Sequence, residues 1–138
     1  MILFILQNAY QSEKYNFRNN DEWFSDLMRS HSGRRLKEMF PATCEIKVIN
    51  ASPQIGKSAK SFYEADLKYI QKNVQTYKPD FICACGKVAQ DGCKKLNLEF
   101  IELPHPAWRQ LSKEHTHKIR IRLSALSHMT KVDTESND

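Results

Sequence analysis

The sequence has few of the residues that build common nucleotide-binding and metal-binding motifs. Only four glycines occur in 138 residues, and they form neither a GxGxxG fingerprint nor a Walker loop. The four cysteines lack the CxxC spacing of a zinc site, and no histidines and carboxylates are paired as metal ligands. We therefore expect no metal and no cofactor. The cysteines are predicted to be buried free thiols of a reducing compartment.

Long apolar runs are also missing. No stretch approaches the length of a membrane-spanning helix, and the apolar start of the chain is too short for a secretory signal and has no basic flank. We expect a monomer in the cytoplasm or another intracellular compartment, without membrane contact. No nucleophile elbow is present, so no motif supports a Ser/His/Asp site.

The residues that are present suffice for one domain. Hydrophobic residues make up 41% of the chain, and its length is that of an ordinary domain. We assign residues 1–128 to a single domain and residues 129–138 to a flexible acidic tail. The net charge is +5, and residues 105–122 contain five cations and three histidines against one acid. Such a segment attracts phosphate backbones, although an ordinary solvated helix face has the same composition.

Alternating apolar and amphipathic segments predict an α/β fold. The predicted strands are residues 2–6, 44–49, 81–85 and 98–103. Five helices are predicted. The first begins at Glu22, the second contains Leu36, Met39 and Phe40, and the other three span residues 61–77, 87–95 and 113–126. Asp21 is predicted to cap the first helix, and Ser32 or Gly33 to separate it from the second. This order predicts a three-layer α/β/α sandwich around a central four-stranded parallel sheet.

The loops after the predicted strands contain the residues with the most useful chemistry. Ligands of parallel sheets bind beyond the carboxyl ends of the strands, where this chain has Asn8, Tyr10, Asn50 and His105. An amide both donates and accepts hydrogen bonds, so it can read the edge of a base. His105 lies between two prolines that restrict its orientation. Taken singly, Asn8 and Asn50 have the alternative interpretation of ordinary turn residues, and His105 that of an ordinary surface histidine.

Five segments in this order resemble the uracil-DNA glycosylase superfamily over nearly all of residues 1–126. ELPHPAWR resembles its His-Pro-Ser motif and is the most specific of the five. The others are ILFILQNAY, which resembles the first motif, VINASP, YEADLKYIQKNVQTYKPD and FICACGKVAQ.

The resemblance implies a role for each residue of the site. Asn8 would position the attacking water, and His105 would stabilise the negative charge that develops on the departing base. The implied base-binding residues are Gln7, Tyr10 and Asn50, with Phe17, Phe24 or His31 stacking on the base. The implied DNA-binding residues are Lys57, Ser58, Lys60, Trp108, Arg109 and Lys113, with Trp108 or Arg109 entering the duplex.

The chain departs from the family pattern beside both reactive positions. Leu6 and Ala9 replace a Gly and a Pro of the first motif, and Ala107 replaces the Ser that follows His-Pro. The cysteines that bind an iron–sulfur cluster in some branches are missing, so we expect no cluster. We predict a monofunctional DNA glycosylase that removes uracil or a modified pyrimidine. The alternatives are an inactive DNA-binding or sensing member, an enzyme of free nucleosides or nucleotides, and an unrelated flavodoxin-like domain. The presence of both Asn8 and His105 favours the glycosylase.

Overall fold

The apolar run near the start of the chain forms the strand around which the fold is built. All five of its residues are buried, because the strand has a neighbour on each side and helices on both faces. The structure, a computed structural model, describes residues 1–10, 19–42, 44–58 and 60–136. Its elements are β1 (Ile2–Leu6), β2 (Ala9–Tyr10), α1 (Asn20–Arg29), α2 (His31–Glu38), β3 (Ile46–Asn50), β4 (Ile55–Gly56), α3 (Leu67–Tyr77), β5 (Phe81–Cys85), α4 (Lys87–Lys95), β6 (Ile101–Leu103) and α5 (Lys113–Ser136).

The main sheet contains four parallel strands in the order β3-β1-β5-β6. In this register Leu6 lies opposite Asn50, and Cys85 lies opposite Leu103. The carboxyl ends of neighbouring strands therefore meet at one edge of the sheet. The loops that follow them are brought together there.

Helices cover both faces of this sheet. Phe4 belongs to one core with Leu36 of α2 and Leu123 of α5. Ile5, on the opposite face of β1, belongs to a second core with Ile70 of α3 and with α4. This arrangement confirms the predicted three-layer α/β/α fold with a four-stranded parallel sheet.

Two helix boundaries differ from those predicted for the segment after β2. Asn19, rather than Asp21, caps α1, and its side chain accepts a hydrogen bond from the Glu22 N–H at 2.9 Å. Ser30, rather than Ser32 or Gly33, separates α1 from α2. Its hydroxyl accepts from the Gly33 N–H at 3.0 Å and so caps α2 while ending α1.

The helix predicted from residue 61 begins later than its apolar pattern indicates. The side chain of Asp66 accepts a hydrogen bond from the Tyr69 N–H at 3.0 Å, so α3 starts at Leu67. The backbone N–H of Asp66 donates to the Ala51 carbonyl at 2.8 Å. This contact ties the segment before α3 to the end of β3, so residues 61–66 are not helical.

The strands also differ in detail from the prediction. The second strand of the main sheet spans residues 46–50 rather than 44–49, and the fourth begins at residue 101 rather than 98. The short strands β2 and β4 were not predicted, and they pair with each other in parallel beyond the main sheet. Backbone pairing of so few residues leaves no periodic signal in the sequence.

The last helix extends beyond its predicted end at residue 126 and reaches Ser136. It therefore includes most of the segment predicted as a tail, although the division between domain and tail remains a prediction. Among the described residues, no helix is long and apolar enough to cross a membrane.

The cysteines are free thiols, and three of them are buried as predicted. Burial raises the pKa of Cys83 to about 12 and that of Cys93 to about 11. The pKa of Cys85 is also raised by burial. These groups are therefore protonated at neutral pH and serve in packing rather than as nucleophiles.

Substitution of Gly33 by alanine is expected to lower the free energy of unfolding by about 3 kcal/mol. A Cβ atom at this position would lie 1.7 Å from the carbonyl oxygen of Leu27. Because that oxygen belongs to the backbone, α1 and α2 must separate to make room. Urea unfolding followed by circular dichroism measures the change.

Arg34→Ala, at the exposed neighbouring position of α2, is the matched control and should stay within about 0.5 kcal/mol of the wild type. Equal unfolding midpoints for the two variants would contradict the close approach of α1 to α2.

Candidate active site

A cleft of about 290 Å³ opens at the edge where the main strands end. The loop after β1, the end of β3 and the loop after β6 form one side of it, and α1 and α2 contribute the other. It is lined by Leu6, Asn8, Tyr10, Trp23, Asp26, Leu27, Ser30, His31, Ser32, Asn50, His105, Pro106 and Ala107. The cleft therefore brings together five residues selected from the sequence, namely Asn8, Tyr10, His31, Asn50 and His105.

The side-chain amide of Asn8 is held by the backbone beside it. Its Nδ2 donates a hydrogen bond to the Ala9 carbonyl at 2.9 Å. Its Oδ1 is buried and accepts no hydrogen bond from any residue that the structure describes. A buried acceptor without a donor is costly. A water molecule or a ligand with a donor group would satisfy it, since Asn8 lines the cleft.

Asn50 lies at the end of β3, directly opposite Leu6 in the register, and is only 2% exposed. Two backbone hydrogen bonds continue the pairing beyond the strands, from the Ala51 N–H to Leu6 at 3.0 Å and from the Ser52 N–H to Gln7 at 3.1 Å. The loops after β1 and β3 are thus fixed to each other. Their fixed spacing sets the positions of Asn8 and Asn50 in the cleft.

His105 packs against the turn between β5 and α4. Gly86 in that turn has a φ of +91°, and a Cβ atom there would lie 3.2 Å from the Cβ of His105. Only glycine combines this backbone conformation with such a close approach. The side chain of His105 therefore packs directly against the backbone of Gly86.

The imidazole of His105 is neutral and has a defined tautomer. Burial lowers its pKa to about 4, because a charged ring would lose the hydration that it has in water. The Ala107 N–H donates a hydrogen bond to Nδ1 at 3.1 Å. A neutral ring that accepts at Nδ1 has its proton on Nε2. His105 thus offers the cleft a hydrogen-bond donor without a positive charge.

The contribution of α1 to the cleft was not predicted from the sequence. Trp23, Asp26, Leu27 and Ser30 follow one another at i, i+3, i+4 and i+7, and so share one face of α1. The polar members at the same spacing are the signal that distinguishes a ligand-facing stripe from a core stripe.

The side of the cleft that α1 and α2 form contains aromatic rings and one carboxylate. Trp23 is 8% exposed and lines the cleft, whereas Phe24 does not line it and is 38% exposed. Phe17 lies outside the described residues, and His31 does line the cleft. The carboxylate of Asp26 accepts a hydrogen bond from the Arg29 guanidinium at 2.6 Å.

The other predicted residues lie outside the cleft. Gln7 contributes its backbone carbonyl to the pairing described above. Lys57, Ser58 and Lys60 are exposed on the loop after β4. Trp108, Arg109 and Lys113 are exposed beyond His105, and Trp108 is 44% exposed.

The loop that carries Trp108 is anchored to α2. The guanidinium of Arg35 donates hydrogen bonds to the carbonyls of Trp108, at 2.6 Å, and Leu111. The Trp108 ring also lies 6.1 Å from that of His115. This loop is therefore held both by Arg35, which is far from it in the sequence, and by the nearby ring of His115.

The fold and the cleft define an α/β protein whose candidate site lies at the carboxyl edge of a parallel sheet. A comparison with known families matches residues 12–126 to the uracil DNA glycosylase superfamily. The chain belongs to that superfamily, as its segments suggested. No curated protein and no solved structure gives a match. The family match includes Asn50 and His105 but begins after Asn8, so Asn8 is a candidate because of its place in the cleft.

Nuclear magnetic resonance of the His105 ring is expected to show a neutral imidazole protonated at Nε2, with a titration midpoint near pH 4. The usual midpoint is about 6.5. As the pH falls, the unfolded chain then binds this proton before the folded chain does. The contribution of His105 to the free energy of unfolding is therefore fully present above about pH 6.5 and is lost as the pH falls from 6.5 to 4.

The loss should amount to roughly 3 kcal/mol across that interval, and His105→Gln should remove it. The same substitution at the exposed His128 is the matched control. A titration midpoint above 6 for His105, or a proton on Nδ1, would contradict this description of the ring.

Proposed function

We propose that this protein is a DNA glycosylase that hydrolyses the N-glycosidic bond of uracil or a modified pyrimidine after the nucleotide has been flipped out of DNA. The observation that carries the proposal is the convergence of Asn8, Asn50 and a neutral His105 in one cleft of a member of the uracil-DNA glycosylase superfamily. These groups supply the three interactions that the reaction requires: binding of the base, stabilisation of its charge, and positioning of water.

His105 stabilises the leaving base. When the bond between the sugar C1′ and the base nitrogen breaks, both electrons of that bond remain on the base, whose carbonyl oxygen becomes more negative. The Nε2–H donates a hydrogen bond to that oxygen and does not need to reorganise as the charge develops. Because the ring has a pKa of about 4, it acts as a donor throughout the neutral range.

Asn8 positions the nucleophile. Its unpaired Oδ1 accepts a hydrogen bond from a water molecule, whose oxygen then forms the new bond to C1′. An amide is a poor base, so the water loses its proton only after the sugar has gained positive charge, and that proton balances the negative charge on the released base. Asn8 therefore contributes orientation rather than proton abstraction.

The remaining lining residues select the base. Asn50 hydrogen-bonds its edge, Tyr10 limits substituents on the ring, and Trp23 or His31 provides a stacking surface. Asp26 is the only acid among the lining residues that the structure describes. Its carboxylate accepts from an amino or hydroxyl substituent, which favours a modified pyrimidine with such a donor over uracil.

Exposed residues on both sides of the cleft contact DNA. Lys57, Ser58 and Lys60 hold phosphates on one side, and Arg109 and Lys113 hold them on the other. Trp108 fills the space that the flipped nucleotide leaves in the duplex. Its exposure on an anchored loop supports this role.

Oligonucleotides with a single uracil, 5-hydroxymethyluracil or 5-hydroxymethylcytosine test the proposal. Excision leaves an abasic site that alkali converts into a strand break, and the wild-type protein is expected to produce breaks on at least one of these substrates. His105→Ala should lower the rate by about 10²-fold to 10³-fold, because it removes one donor to the developing negative charge. Asn8→Ala should lower it at least as much.

Gln75→Ala removes an amide from the exposed side of α3 and should retain the wild-type rate. No breaks on any substrate, together with tight DNA binding, would instead identify an inactive binding member. Release of base from free nucleosides or nucleotides but not from DNA would also overturn the proposal.

Trp108→Ala is expected to slow excision from duplex DNA by about tenfold, since loss of stacking in the gap raises the cost of flipping by roughly 1–3 kcal/mol. Excision from single-stranded DNA, which has no gap to fill, should change little and is the internal control. An equal loss on both substrates would assign Trp108 to the folding of its loop.

A further inference from the structure

A second cavity, of about 370 Å³, lies between α2 and the loop that leads into α5. We call it the basic pocket. Its lining residues are His31, Arg34, Arg35, Glu38, Arg109, Leu111, Ser112 and Lys113. Four of them are permanently charged cations and one is an acid, so the pocket is predominantly positive.

Two of the charged residues of the basic pocket already make hydrogen bonds within the protein. Arg35 donates to the backbone carbonyls of Trp108 and Leu111, and Glu38 accepts a hydrogen bond from the Thr116 hydroxyl at 2.9 Å. These two residues hold α2 against α5 and against the loop that leads into α5. They give the pocket rigid walls.

Three cations of the basic pocket are available to a ligand. Arg34, Arg109 and Lys113 form no ion pair within the described part of the chain and are exposed. The nearby acid Glu114 is engaged with Lys118 at 3.1 Å. Lys113 is also the first residue of α5, where the helix dipole adds partial positive charge. Two guanidinium groups and an ammonium group around one cavity match the oxygens of phosphates.

The basic pocket adjoins the cleft, because His31 lines both. A nucleotide with its base in the cleft has phosphates just outside it. A strand that leaves the cleft past His31 reaches the basic pocket next.

We propose that the basic pocket binds a backbone phosphate of the DNA strand whose flipped nucleotide occupies the cleft. This inference rests on the proposed function, and it adds α2 to the DNA-binding surface. A free nucleotide would offer the same chemical group, but it has a single phosphate, which is attached to its own sugar. Three available cations suit consecutive phosphates of a strand better than one terminal phosphate, so the proposal commits to DNA.

The salt dependence of DNA binding tests this pocket. The ligand is a duplex with one tetrahydrofuran abasic site, which has no base to excise, and binding is followed by fluorescence anisotropy from 50 to 200 mM salt. Each phosphate contact contributes about 0.9 to the slope of log affinity against log salt concentration. Arg34→Ala and Lys113→Ala should each reduce that slope by about this amount, which weakens binding most at low salt.

Two further variants serve as matched controls. Arg34→Lys keeps the positive charge and should keep most of the slope. Lys72→Ala removes an exposed cation from α3, which packs on the opposite face of the sheet, and should leave the slope unchanged. If Arg34→Ala and Lys113→Ala behaved like Lys72→Ala, the proposal would be wrong.

Binding of deoxyuridine monophosphate to the same variants distinguishes a phosphate of DNA from that of a free nucleotide. If Arg34→Ala weakened binding of the mononucleotide and left the DNA slope unchanged, the pocket would belong to a free nucleotide and the DNA proposal would be overturned.

The excision assay keeps failure of the pocket distinct from failure of the proposed function. Excision by the wild type with unchanged slopes in the variants would contradict the pocket alone. Reduced slopes in a protein without excision would support the pocket and contradict the glycosylase.

Discussion

The parallel register of the four central strands determines where the candidate functional groups at the strand ends lie. β1 is buried on both faces and pairs with β3 and β5 along its length. This pairing places Leu6 opposite Asn50, and two backbone hydrogen bonds beyond the strands lock the following loops together. A slip of one residue would turn Asn50 to the other face of the sheet. The cleft therefore depends on main-chain pairing that has no chemical role of its own.

The cleft and the basic pocket beside it differ in how far their side chains are buried, and therefore in the charge that they offer to a ligand. Inside the cleft, burial keeps His105 neutral, so that the ring offers a donor that does not bind anions as a free charge would. Outside it, the cations of the basic pocket remain exposed and charged. A polyanion is thus attracted to the rim, while the cleft offers the neutral ring of His105 and, among its described lining residues, the single carboxylate of Asp26. This separation suits a ligand with a charged backbone and a neutral ring.

The parts of the structure that follow from local signals could be predicted from the sequence. β1 ends where its apolar run ends, and Gly86 marks the turn from β5 into α4, so these boundaries are as predicted. The start of α3 depends on the contact between Asp66 and Ala51, which joins residues that no periodic pattern relates. Trp23 and Asp26 likewise become part of a site only because α1 lies across the strand ends. The amphipathic pattern identifies such a helix but not which neighbour its buried face meets.

The departures from the family pattern leave the groups that orient the two candidate catalytic residues in place. Ala9 stands where the family has a proline, yet its carbonyl accepts the hydrogen bond that holds the Asn8 amide, and either residue has that carbonyl. Ala107 stands where the family has a serine, yet its backbone N–H donates to Nδ1 of His105, and every residue except proline has that donor. Relative to the family pattern, the chain lacks a proline ring at the fully buried position 9 and a hydroxyl at position 107, which lines the cleft. The missing hydroxyl changes the polar contacts that the cleft can offer, whereas the tautomer of His105 and the direction of the Asn8 amide depend on backbone groups that substitution by alanine preserves.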